Sequence, residues 1–189
     1  IAIASKITKA RNAISERIAQ EQEAQTLLTQ AEDHVKKRRH ADAIIDCKKA
    51  IAINPDSAKA YCTLGIACNS LKKYTDAIAA YEKCTKLKPD YAEAYFGMGF
   101  AYNILKQYPE AVTAYKKAID IKPDYAKAYL LMGIPYKNLG QYSKAIAACK
   151  KCLALQPTGD LADDARNFIR LLSKEKNKTA VVLKREDAE

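Results

Sequence analysis

Apolar side chains return every three or four residues along most of this chain, and polar ones fill the faces between them. Ile3, Ile7, Ala10, Ile14 and Ile18 draw one stripe, with Lys6, Lys9, Arg11, Glu16 and Arg17 on the other faces. That is the spacing of an amphipathic helix, not the alternation of a strand. From Ala58 the pattern becomes one phrase written twice, AKAYCTLGIACNSLKKYTDAIAAYEKCTKLKPDY and then AEAYFGMGFAYNILKQYPEAVTAYKKAIDIKPDY. Gly65 and Gly99 stand 34 residues apart, as do Tyr61 and Tyr95, Ala77 and Ala111, Tyr81 and Tyr115, and Pro89 and Pro123. The phrase runs on as Tyr129, Gly133, Ala145 and Pro157, and upstream, more faintly, as Leu27, Ala31, Ala43 and Pro55, so four copies span Ala24 to Pro157. A fixed period of this length signals stacked supersecondary units that bury their apolar faces against one another.

Within a copy the sequence predicts two antiparallel helices. In the second, Asp56 and Ser57 offer capping oxygens and Ala58 to Leu71 form one helix. Lys72, Lys73 and Tyr74 turn, and a second helix starts at Thr75 or Asp76 and ends near Leu87, before Pro89 blocks its continuation. Gly65 and Ala77 let the two helices approach closely. The tyrosines fill what space remains, Tyr74, Tyr108 and Tyr142 at the turns and Tyr61, Tyr95 and Tyr129 on first helices. The first copy diverges most, with Gln30, Ala31 and His34 where later copies carry Leu or Met, Gly, and Cys or Tyr. Terminal repeats are commonly atypical, and His34 and His40 read as turn and packing residues without a partner in the sequence. The expected organisation is an N-terminal amphipathic helix over 1–23, repeats over 24–57, 58–91, 92–125 and 126–157, a capping helix over 158–173 and a charged tail over 174–189. In the cap, Leu161, Ala165, Phe168, Ile169 and Leu172 share one side. The tail, with its short apolar run Ala180 to Leu183, reads as disordered alone, or as a strand or anchor added to another subunit. Pro135, inside the first helix of the fourth copy, is expected to kink it and widen the surface there.

Composition sharpens this picture in two places. The formal net charge of +10 favours acidic proteins, nucleic acid or anionic lipid. The lysines, however, are scattered as KK and KxK pairs through every copy, as on solvated helix faces, and the densest run, Lys36 to His40, falls at a turn after a helix C-terminus. Nucleic-acid binding lacks the interleaved basic and aromatic stripe it needs, and membrane contact through the N-terminal helix gains little from its mixed charge. The six cysteines are Cys47, Cys62, Cys68, Cys84, Cys149 and Cys152, and five of them occupy packing positions of the repeat. Cys149 and Cys152 have CxxC spacing but lie in mid-helix with no second pair and no nearby His, so they read as core, not as a metal or redox site. Free thiols in this number point to a reducing compartment, the cytoplasm. The chain opens with Ile, which fits a processed form or an excised domain and leaves room for a lost targeting segment.

The run Tyr61-x-x-Leu64-Gly65-x-x-Cys68, with Ala77, Tyr81 and Pro89 repeated in register, closely resembles the tetratricopeptide repeat. The resemblance implies an all-α fold, a right-handed superhelical solenoid of antiparallel helix pairs whose first helices line a concave groove that holds partner proteins or peptides. Carried onto this chain, the concave positions are Lys59, Cys62, Thr63, Ile66, Asn69 and Ser70 in the second copy. The third adds Glu93, Phe96, Gly97, Phe100, Asn103 and Ile104, and the fourth Lys127, Leu130, Leu131, Ile134, Lys137 and Asn138. Cys62, Ile66, Phe96, Phe100, Leu130 and Ile134 would form an apolar strip, which implies a covering partner. The family's carboxylate clamp for acidic C-terminal peptides would need lysines, asparagines and an arginine at Cys62, Ile66, Gly97, Lys127 and Leu131, of which only Lys127 fits. The expected function is therefore a non-enzymatic scaffold, without cofactor or metal, whose groove takes an amphipathic helix or apolar peptide. The alternative is self-assembly, in which Ile3, Ile7, Ile14 and Ile18, or Val181, Val182 and Leu183, of one copy fill the groove of the next. In the simplest case the chain's own N-terminal helix covers its groove. No glycine-rich phosphate loop, paired carboxylates or nucleophile with a neighbouring His points to catalysis.

Overall fold

The structure, a computed structural model, describes residues 2–186, with side chains described from 6 to 178 apart from that of Thr8. Among the described residues every regular element is an α-helix, and none is long and apolar enough to cross a membrane. Contacts gather the chain into two compact units, Ile1–Pro89 and Asp90–Glu189. The first holds α1 (Ala2–Lys36), α2 (His40–Ile53), α3 (Ala58–Ser70) and α4 (Tyr74–Leu87). The second holds α5 (Ala92–Ile104), α6 (Tyr108–Ile121), α7 (Ala126–Asn138), α8 (Tyr142–Leu155) and α9 (Asp160–Glu186). Neighbours in sequence pack as antiparallel pairs, α1 with α2 and α3 with α4 in the first unit, α5 with α6 and α7 with α8 in the second, where α9 closes on α8.

The closest approach within a pair is set by one glycine and one ring. A Cβ placed on Gly65 would stand 2.6 Å from Cε1 of Tyr81, and one on Gly99 2.8 Å from Cδ1 of Tyr115. Both tyrosines are 1% exposed. Their bulk fills the space that the missing side chain opens, at the near-crystalline density of protein interiors. The other two copies solve the same volume differently. In the first, Ala31 replaces the glycine and Cys47 the tyrosine, and both are fully buried. In the fourth, Gly133 remains but Cys149 takes the ring's place. Phe168 of α9 then enters the gap, its Cε1 3.0 Å and the Cys149 Sγ 3.1 Å from where a Gly133 Cβ would stand.

Each first helix ends through the same hydrogen bond. The amides of Arg39, Lys73, Gln107 and Gln141 donate to the carbonyls of His34, Cys68, Tyr102 and Tyr136, at 2.8, 2.9, 2.9 and 2.9 Å. This closure places the preceding residue in the left-handed region. There stand Gly140, with φ 71°, and also Arg38, Lys72 and Lys106, with φ 60°, 60° and 61°. The Ser57 hydroxyl accepts from the Ala60 amide at 3.3 Å and caps α3 as expected, whereas the neighbouring Asp56 amide donates to the Asn54 side chain.

The N-terminal segment is a continuous extension of the first repeat's helix, 35 residues long in all. Its side chains from residue 9 to 23 are exposed, and burial begins at Ala24. With Ile7, Ile14 and Ile18 exposed by 63%, 60% and 49%, this chain does not cover its own groove with that stripe. The segment after Leu172 is helical to Glu186, not a coil or strand, because Lys, Glu, Ala and Leu are strong helix formers that continue a helix already nucleated by packing. Pro135 is buried within α7, and the helix runs on past it to Asn138. Ile3, Val181, Val182 and Leu183 belong to helices, but their side chains lie outside the described residues.

Two substitutions test this account. Gly99→Ala gains helix propensity but forces Tyr115 aside. It is expected to destabilise by about 1–2 kcal/mol net, lowering the thermal midpoint by about 2–8 °C. Adding Tyr115→Cys, which copies the Ala31 and Cys47 solution, should cost less than the two changes summed. At Lys72 and Lys106, glycine relieves left-handed strain, and each change is expected to stabilise by about 0.5–1 kcal/mol in denaturant titrations.

Candidate functional site

First helices carry the candidate site because their side chains at steps of three and four share a face. On α3 this stripe holds Lys59, Cys62, Ile66 and Asn69. Ile66 is 37% exposed, while Cys62 is 3% exposed and belongs to the interior. Thr63 is buried too, its hydroxyl donating to the Lys59 carbonyl at 3.0 Å, and the exposed Ser70 makes the same bond to Ile66. Lys59 reaches Glu32 of α1 at 2.7 Å. Asn69 donates from Nδ2 to the Tyr81 hydroxyl at 3.3 Å, so this groove amide also steadies the ring that packs on Gly65.

In the second unit the equivalent stripe lies on α5 and α7, which touch each other. Phe96 stacks on Tyr125 with centroids 4.9 Å apart and leans on Tyr115 at 5.8 Å. The Lys127 ammonium lies 6.0 Å from the Phe96 centroid, within range of a cation–π contact. Phe100, Leu131 and Ile134 are half-buried, Ile104 is exposed, and Leu130 is 7% exposed as part of the core. Gly97 is buried and Glu93 exposed. Asn103 has a buried Oδ1 without a hydrogen-bond partner among the described residues. Asn138 donates to the Ile134 carbonyl at 3.0 Å, and Lys137 pairs with Glu175 of α9 at 3.1 Å.

The apolar strip thus contracts. Cys62 and Leu130 are withdrawn from it because the hairpins and their neighbours close over these positions. What stays accessible is Ile66 in the first unit, and Phe96, Phe100 and Ile134 in the second. Sequence reasoning missed Glu32, although it stands 34 residues before Ile66 and so occupies the same register as Phe100 and Ile134. His34 is not unpartnered: its Nδ1 lies 2.8 Å from Oδ2 of Asp46, which is itself 9% exposed. Those residues are 12 apart on successive helices, a separation that no short motif marks. Glu175 lies in the segment whose charged composition reads as a tail, so no pattern points to its pairing with Lys137.

The six cysteines are free and buried. Burial pushes the Cys47 and Cys149 thiols up to about 12, and those of Cys68 and Cys152 upward. A thiol held protonated is a poor nucleophile and a poor metal ligand. Among the described residues no group of three His, Cys, Asp or Glu side chains is placed to hold a metal.

The sequence matches the family description "Tetratricopeptide repeat protein 21 C-terminal ARM domain" over residues 4–130 and "Tetratricopeptide repeat" over residues 126–158. Among curated protein sequences none matches. Among solved structures, one of MamA is 31% identical, with a TM-score of 0.68, covering 71% of this chain and 78% of that one. The Arabidopsis OM64 TPR domain is 25% identical over 63% of this chain and 96% of its own length, with a TM-score of 0.59. A thermophilic TPR protein of Thermus thermophilus, TTC0263, shares the fold at 23% identity and a TM-score of 0.65, covering 84% of this chain and 87% of its own.

The raised thiols lead to a two-part expectation. In the folded protein all six cysteines react slowly with a disulfide reagent, and in denaturant all six react at once. Because the thiols of Cys47, Cys68, Cys149 and Cys152, and the Tyr81 and Tyr115 hydroxyls, titrate above their unfolded values, their contribution to stability is complete below about pH 8. It is lost as pH climbs from about 8.5 toward 12. Urea titrations across that range should show stability falling.

Proposed function

This chain belongs to the tetratricopeptide-repeat family, whose members serve generally as scaffolds for protein–protein contact, and from that premise we propose that α5 and α7 together hold an apolar face of a partner helix or peptide. The observation that carries the reading is the half-buried row Phe96, Phe100 and Ile134 on the face the family uses for binding. Lys127 and Lys137 flank it. Ile66, with Lys59 and Asn69, holds the equivalent positions on α3 of the first unit. Covering one groove Phe removes enough apolar surface to contribute about 1.5–3 kcal/mol, so Phe100 and Ile134 are the expected anchors. Phe96 is partly committed to Tyr125 and Tyr115 and holds the groove's shape.

A second reading is supported by α1. Ile7, Ile14 and Ile18 form an exposed apolar stripe on a helix that extends beyond its own repeat. A second copy of the chain offers such a stripe a matching surface.

Peptides selected from a displayed random library against the intact chain provide the test. Phe100→Ser combined with Ile134→Ser should weaken the selected peptides by at least tenfold while circular dichroism shows unchanged helicity. Undiminished binding would end the groove assignment. In the same preparations, sedimentation that is concentration-dependent and becomes monomeric on Ile14→Glu would favour self-docking, and a monomer at every concentration would remove it.

A further inference from the structure

On the side of α3 away from Ile66, the first unit carries a trough of about 420 Å³. Tyr61, Leu64 and Cys68 form its floor at steps of three and four, a length of about 10 Å at 1.5 Å per residue. The α2 wall carries Ile44 and Lys48. The α4 wall is low because Ala79 and Ala80 stand where longer side chains would fill it. A recessed helix between two flanking helices is the geometry in which a short amphipathic helix beds its apolar face.

Charge says what kind of helix. Lys48 stands on one wall, Lys73 at one end and Lys83 on the other wall, against a single carboxylate, Asp76. Among the described residues none of the three lysines has a carboxylate within 4 Å. Their field reaches the floor, where the Cys68 thiol, raised chiefly by burial, also feels Asp76, Lys73 and Lys48. The second unit repeats the shape 34 residues on, with Tyr95, Met98 and Tyr102 facing Thr113 and Ala114 in a trough of about 440 Å³. There one lysine, Lys117, faces one acid, Glu110. The shape therefore recurs with the repeat, and of these two troughs the first is the one rimmed by three lysines.

We propose that the trough between α2 and α4 is a docking surface, separate from the groove face, for a short partner helix whose bulky apolar side chains are flanked by carboxylates. The apolar side chains lie on Tyr61, Leu64 and Cys68, and the carboxylates meet Lys48, Lys73 and Lys83.

The test titrates the isotopically labelled full chain with a synthetic peptide, ELLEELLEELLEEL, and with its lysine counterpart, KLLKKLLKKLLKKL, following amide shifts by NMR. The acidic peptide is expected to move the amides of Cys68, Asp76, Ala79 and Ala80. Its Kd should rise at least tenfold in Lys48→Glu with Lys83→Glu. Ala79→Phe, at an exposed position that leaves folding intact, should raise it similarly by filling the trough. Equal binding of the lysine peptide, shifts centred on Phe100 and Ile134 or shared by Thr113 and Lys117, undiminished affinity in the Ala79→Phe protein, or no shift at millimolar peptide would each overturn the proposal. Because Phe100→Ser with Ile134→Ser leaves this trough intact, loss of groove binding in that variant leaves this result unchanged.

Discussion

Two helices joined by a short turn can bury their faces only as closely as their largest facing side chains allow, and here that limit is set where a glycine meets a tyrosine ring. Tyr81 over Gly65 and Tyr115 over Gly99 are among the largest fully buried side chains of the chain. The first and fourth copies keep the volume while changing its parts, with Ala31 and Cys47 in one and Gly133, Cys149 and Phe168 in the other. The fourth solution also explains how α9 is held, since its phenylalanine completes a site that its own hairpin leaves unfilled. Volume-conserving exchange of this kind is what packed interiors tolerate best.

Once the hairpin interiors are settled by that pairing, the side chains left over decide the surfaces. On one side of the first helices, Phe96, Phe100 and Ile134 stay half-buried between lysines, two of which are steadied by Phe96 and Glu175. On the other side, small residues of α4 leave a trough rimmed by Lys48, Lys73 and Lys83. Both surfaces follow from one register, because in a helix the residues that pack the pair, face the groove and line the trough take turns every three to four positions. The ion pairs across these surfaces are partly exposed and contribute little to stability. Their role is to set which charges a partner meets.

The repeat made much of this legible. The helix pairs, the Ser57 cap, the turn at Lys72 and the burial of every cysteine but Cys62 follow from spacing and side-chain size read along the chain. The groove was legible only in part. The register gives one face of each first helix, but it placed Cys62 and Leu130 on the surface, and whether a position at the edge of a helical stripe is covered depends on the neighbouring helix. The pairing of His34 with Asp46, of Lys59 with Glu32 and of Lys137 with Glu175 joins residues on different helices. No local pattern specifies such contacts.

The sequence by itself determined the period, the helix pairs and the small residues that let them close, because each is a property of nearby residues and of the 34-residue repeat. Only the tertiary structure decided which stripe residues remain open, that α1 leaves Ile7, Ile14 and Ile18 uncovered, that Phe168 fills the gap beside Gly133, and that α9 runs on to Glu186. Those outcomes depend on how far apart neighbouring helices settle, and that distance is the sum of many packed side chains, legible only once they are packed together.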